Sequence, residues 1–221
     1  MVVQKNGYFF RYQFKNSSCC AIIQCLGRKV RSKNMTPAIQ TFVHKILKCE
    51  DTTTRQIAVH EAGHRFFWGI VFPDIKTKYA VVSGMPATVR KSGNHPLNLQ
   101  SMTIEDASRY IYIKLGGIAA EMVLFGIENA VDEIAESVAD DYVTEHPQFD
   151  WRDDAEHHGD ISETFKIIQA KSNPESLKHN FKIFLQSSIN HILSNKDMFD
   201  KECAEATNLF AVWQKQGRWS L

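Results

Sequence analysis

The sequence predicts a mainly α (α+β) fold, helical with a small β element, and three observations carry that reading. Apolar residues recur at helical spacing in five windows after residue 50. The β-branched, turn-punctuated stretches are short and few. Apolar residues make up 43% of the 221 and charged residues 23%, the balance of a folded soluble chain. That length holds one large domain, or one domain with a small appendage. We divide it into an N-terminal appendage over 1–50 and a helical domain over 51–221.

Within 1–50, the aromatic, partly alternating run Gly7-Tyr8-Phe9-Phe10-Arg11-Tyr12-Gln13-Phe14 suggests a strand. A helix opening near Thr36-Pro37 sets Ile39, Phe42, Val43, Ile46 and Leu47 on one side, with proline at its first position. Thr52-Thr53-Thr54 can cap a helix that runs to about Val71 and is stopped by Pro73. Its stripe is Ile57, His60, His64, Phe67 and Val71. Residues 74–92, broken by Gly84 and Pro86, fit a small hairpin, and 93–101 fit a loop.

A second long helix begins at Thr103, with Asp106 placed for an approximate capping box. Its stripe is Ala107, Ile111, Leu115, Ile118, Met122 and Phe125, and Gly126 is a natural stop. Gly116-Gly117 in the middle costs about 1 kcal/mol of helix propensity per glycine, tolerable where another backbone must come close. Residues 128–159 are acidic and polar, with Glu133, Glu136, Asp140 and Asp141 forming a solvated helix face. Helical spacing resumes at Ile161, Phe165 and Ile168 and breaks at Asn173-Pro174. Further stripes are Leu177, Phe181, Leu185, Ile189 and Ile192, then Cys203, Ala206, Leu209/Phe210 and Trp213. Trp213 is read as core rather than as a partner surface shared with Trp219.

Formal net charge is +1, which gives no global field for nucleic acid or an anionic membrane. The basic run Arg28-Lys29-Val30-Arg31-Ser32-Lys33 is read as a solvated loop. The odd count of five cysteines, without a C-x-x-C pair, points to a reducing, cytoplasmic setting. The apolar stretch 19–26 is far shorter than the roughly 20 residues of a membrane span.

The chemistry lies in His60-Glu61-Ala62-Gly63-His64, the pattern H-E-x-x-H inside a helical stripe. Histidines at i and i+4 share a face and can reach one Zn²⁺. Glu61 beside them can take a proton from water and pass it to a leaving amine. Such a site needs a third protein ligand. His95, Glu121, Asp140, Asp141, Asp153, Asp154, His157, His158 and Asp160 are all candidates on residue type, and His157-His158 also suits a polar loop.

The segments RQIAVHEAGH (55–64) and LGGIAAEMVLFG (115–126) together resemble the protease domain of FtsH-type zinc peptidases. The resemblance covers about 50–215, with its specific motifs in some thirty residues. It implies a zincin-like metallopeptidase helical domain, a zinc cofactor, a polypeptide substrate and metalloendopeptidase activity. It also implies that Asp160, in His158-Gly-Asp-Ile161, is the third ligand and that Glu121 orients a ligand from behind. Ile118 stands where the family has arginine. The wider spacing before Asp160 implies an inserted loop and keeps Asp154, Asp140 and Asp141 as rivals. No G-x-x-x-x-G-K-[ST] occurs, so the resemblance is to a stand-alone peptidase domain, with a separate unfoldase or a homo-oligomer left open. An inactive interaction module of the same fold and a zinc hydrolase of non-peptide amides are the competing classes; no nucleic-acid partner is expected.

Overall fold

The computed structural model describes residues 35–48, 53–91, 101–145, 159–172 and 176–220. Among them the chain is mainly helical, with one two-stranded antiparallel sheet. In order come α1 (Pro37–Lys48), α2 (Thr54–Val71), β1 (Thr77–Val82), β2 (Met85–Arg90) and α3 (Ile104–Phe125). Then follow α4 (Val131–Glu145), α5 (Asp160–Lys171), α6 (Leu177–Ser194) and α7 (Lys196–Lys215). The strand read at 7–14, the basic run and all but the last residue of the loop read at 93–101 lie outside the described residues. No described helix is long and apolar enough to cross a membrane.

Local chemistry sets the ends of the two central helices. Thr53 accepts from the Gln56 N–H at 3.2 Å while the Gln56 side chain accepts from the Thr53 N–H at 2.9 Å, a reciprocal cap on α2. Thr103 caps α3 by accepting from the Asp106 N–H at 3.0 Å, and Gly126 closes it in the left-handed conformation. The hairpin turns at Ser83-Gly84, both at positive φ, the geometry a two-residue loop requires.

α3 is the centre of the packing. It lies against α2, α5 and α6, while α7 covers α2 and the hairpin leans on α2. The α6 stripe Leu177, Phe181, Leu185, Ile189 and Ile192 is buried throughout, each side chain adding about 1.5–3 kcal/mol of apolar transfer. Trp213 is core, and so is Trp219, whose indole N–H donates to the Phe210 carbonyl at 3.0 Å.

Two elements differ from expectation. The acidic, polar span holds α4, whose exposed Glu136 and Asp140 form the expected solvated face, but its other face buries Val131, Ile134, Ala135, Val138 and Ala139 and packs on α6 and α1. Phe125, the last member of the α3 stripe, is 43% exposed. It sits where α3 runs out and meets Phe42 of α1 edge-on at 5.7 Å. With Phe42, α1 also buries Ile39 and Val43.

Candidate metal centre

α2 and α3 cross at a point where neither can carry a side chain. A Cβ on Gly63 would stand 2.2 Å from the Gly116 carbonyl oxygen, and one on Gly116 would stand 2.7 Å from that of Gly63. The next glycine serves the site itself. A Cβ on Gly117 would stand 2.6 Å from His60 Nε2 and Cε1. The Gly116-Gly117 pair thus lets α2 approach and gives the His60 imidazole its room.

The crossing brings His60 and His64 together with their Nε2 atoms 3.0 Å apart. Each ring is fixed from behind by its other nitrogen. His60 Nδ1–H donates to Glu121 Oε1 at 2.7 Å, and His64 Nδ1–H donates to the Ile113 carbonyl at 2.7 Å. Glu121 is only 7% exposed, and a charge so buried requires such a partner. Asp160, the first residue of α5, completes the group. Its Oδ2 is 3.0 Å from His60 Nε2 and 3.0 Å from His64 Nε2.

The electrostatics follow from this crowding. Burial opposes protonation of His60, but Asp160 and Glu121 outweigh it and raise its pKa well above the ordinary imidazole value. Burial likewise works to raise the Asp160 carboxyl, yet His64 and Lys114 outweigh it and hold it well below the usual carboxylate range. Lys114 on α3 approaches Asp160 Oδ1 at 3.4 Å and also pairs with Glu163. These two acids outweigh the cost of burial and keep the ammonium charged.

Two imidazole nitrogens and a carboxylate oxygen are donors of the kind that divalent metal ions take, Zn²⁺ among them. A carbonyl can only accept, so His64 Nδ1 carries the hydrogen of that bond and Nε2 is the nitrogen left to face His60 and Asp160. Two imidazole nitrogens and a carboxylate oxygen at mutual distances of 3.0 Å repel unless a proton or a cation lies among them. Four-coordinate zinc with bonds of about 2.0–2.1 Å holds its ligand atoms about 3.3 Å apart, so each edge needs to open by only a few tenths of an ångström. Glu61 also offers a ligand atom within 4.8 Å of the two histidines. Its carboxylate is otherwise engaged, because Oε2 accepts from the Thr88 backbone N–H at 2.6 Å. Asp160 touches both imidazoles, whereas the Glu61 carboxylate is held by the hairpin.

The hairpin register explains the Thr88 contact. Lys91 N–H donates to the Lys76 carbonyl, so alternation makes Tyr79↔Thr88 a pair whose amides point away from each other. The outward Thr88 N–H meets Glu61, and the Thr88 hydroxyl donates to the Glu61 carbonyl at 2.8 Å.

The chain matches no family model, no curated protein and no solved structure.

Of the residues singled out from the sequence, His60, Glu61, His64, Glu121 and Asp160 come together here. Asp140 is exposed on α4. His95, Asp153, Asp154, His157 and His158 lie outside the described residues, as does the Asp141 side chain. Sequence reasoning missed Thr88, the Ile113 carbonyl and Lys114. Only Lys114 left a signal: it is the one charge in the apolar run between Ile111 and Ala120.

Proposed function

We propose that this chain is a zinc-dependent peptidase that hydrolyses peptide bonds in unfolded or short polypeptides in a reducing, cytoplasmic setting. The observation that carries it is the convergence of His60 Nε2, His64 Nε2 and Asp160 Oδ2 beside Glu61. The likeness of residues 55–64 and 115–126 to FtsH-type zinc peptidases supports the same reading, and the odd cysteine count supports the compartment. His60, His64 and Asp160 would hold the metal, and Glu121 and the Ile113 carbonyl would fix the imidazole tautomers that ligate.

Zinc, when bound, supplies a Lewis acid for the scissile carbonyl and brings the pKa of water down to about 7. The remaining work belongs to the chain. Glu61 takes the proton from the attacking water and returns it to the leaving amine nitrogen as the C–N bond breaks. Thr88 N–H holds Glu61 Oε2, which keeps the carboxylate in place while Oε1 exchanges the proton.

The test is Glu61→Gln in the full chain. It retains one zinc per chain and loses turnover of a casein-like unfolded substrate. Full activity in that variant would remove the mechanism. Turnover of small non-peptide amides with none of polypeptide would move the reading to another class of hydrolase.

A further inference from the structure

Asp160 has weak local support for a residue on which a metal site depends. It opens α5 directly after Gly159, and no side chain caps that helix. The Thr164 hydroxyl donates to the Asp160 carbonyl at 2.7 Å, which holds its backbone but not its carboxylate. What grips the carboxylate from the far side is Lys114. Its side chain is 26% exposed, and its ammonium stands 3.4 Å from Asp160 Oδ1 while pairing with Glu163, one turn further along α5.

The connection runs through both helices. Lys114 follows Ile113, whose carbonyl orients His64, so consecutive residues of α3 contact two different members of the donor set. An ammonium in an apolar helix face is costly unless paired, and both of its partners lie in the first turn of α5.

We propose that Lys114 is a positioning residue of the metal centre. Shared between Asp160 Oδ1 and Glu163, it turns the Asp160 carboxylate so that Oδ2 alone is presented to the His60–His64 pair. This rests on the metallopeptidase reading and adds to it how the third ligand is aimed. Single-oxygen ligation leaves a coordination position for water, which a catalytic site needs and a closed structural site lacks. The ammonium also repels the metal, so its removal has two opposed effects. Aiming wins, because loss of partners behind a ligand typically weakens metal binding about 10–100-fold.

The experiment is zinc affinity by chelator competition on the full chain, for wild type, Lys114→Met, Lys114→Arg and Glu163→Gln. Far-UV circular dichroism in chelator checks folding, and the visible spectrum of the cobalt(II)-loaded proteins reports coordination. Lys114→Met weakens zinc by about 10–100-fold and alters the cobalt spectrum, as Asp160 no longer binds through one fixed oxygen. Lys114→Arg restores most of both, and Glu163→Gln gives a smaller loss. A folded Lys114→Met with wild-type affinity and spectrum overturns the proposal, and so does an arginine variant no better than the methionine one. If Lys114→Met does not fold, unchanged zinc affinity in Glu163→Gln overturns it. Wild type that takes no zinc refutes the peptidase reading and this proposal together, whereas zinc-binding wild type with an unaffected Lys114→Met refutes this proposal alone.

Discussion

Replacing Gly117 by alanine places one methyl group against the imidazole of His60. Its Cβ would lie 2.6 Å from both Nε2 and Cε1 and 2.8 Å from Cδ2, where ordinary contact begins at 3.4 Å. Relieving a shortfall of about 0.8 Å moves the ring well past the ±0.2 Å within which a metal-ligand distance must fall. The ring is not free to swing, because Nδ1 is bound to the buried Glu121. The helix gains about 1 kcal/mol of propensity from the substitution, set against about 1–3 kcal/mol of overpacking. Metal-free stability therefore falls by only about 0–2 kcal/mol, while zinc affinity falls by at least the 10–100-fold that follows disturbance of an outer partner. The control is Gly69→Ala, on the same helix as His60 with nothing within 4 Å of the new methyl. It should stabilise by up to about 1 kcal/mol and leave zinc binding unchanged. Chelator competition and thermal unfolding in chelator measure the two quantities. Wild-type zinc affinity in a folded Gly117→Ala would refute the placement of His60 Nε2 as a ligand.

Further outcomes follow from the same geometry. Glu121→Gln keeps an acceptor for His60 Nδ1 but loses its charge, so zinc binding should weaken by about 10–100-fold, whereas Asp160→Ala should abolish it; metal content of the purified variants distinguishes the two, and zinc-replete Asp160→Ala would move the third ligand elsewhere. The metal-free protein should be most stable in mildly acid solution. Asp160 is depressed below its ordinary 3.8, so its contribution is present above that pH and is lost as the pH falls below it. His60 is raised above its ordinary 6.5, so its contribution is complete below that pH and is lost as the pH rises through the raised value. Zinc requires the neutral imidazole, so stabilisation by zinc should grow as the pH rises over this same upper range. Thermal unfolding at stepped pH, with zinc and with chelator, reads both; metal-free stability that climbs above pH 6.5 would contradict the His60 environment.

What could be read from the sequence was mostly what local chemistry decides. The ends of α2 and α3 follow from Thr53, Thr103 and Gly126, and their neighbours in the chain supply every bond involved. The α6 stripe is legible because large apolar side chains repeat in step with the helix. α4 hid its buried face because that face is built largely from alanine and valine among acids, which lowers the contrast a periodic reading depends on. The same division holds at the site. His60, Glu61 and His64 are one turn of one helix, so their spacing alone predicts a shared cation. Asp160 stands 100 residues beyond His60, and residue type left it one candidate among many until the resemblance selected it. Thr88, the Ile113 carbonyl and Lys114 act through backbone position or long-range pairing, which a single chain of letters does not encode.

The shared cation is tested most directly by X-ray absorption at the zinc edge on the purified full chain, together with its metal stoichiometry. The predicted result is one zinc per chain with only nitrogen and oxygen neighbours at about 2.0–2.2 Å and the multiple scattering of two imidazoles. A protein that cannot be loaded with zinc, or a spectrum dominated by sulfur at about 2.3 Å, would contradict it.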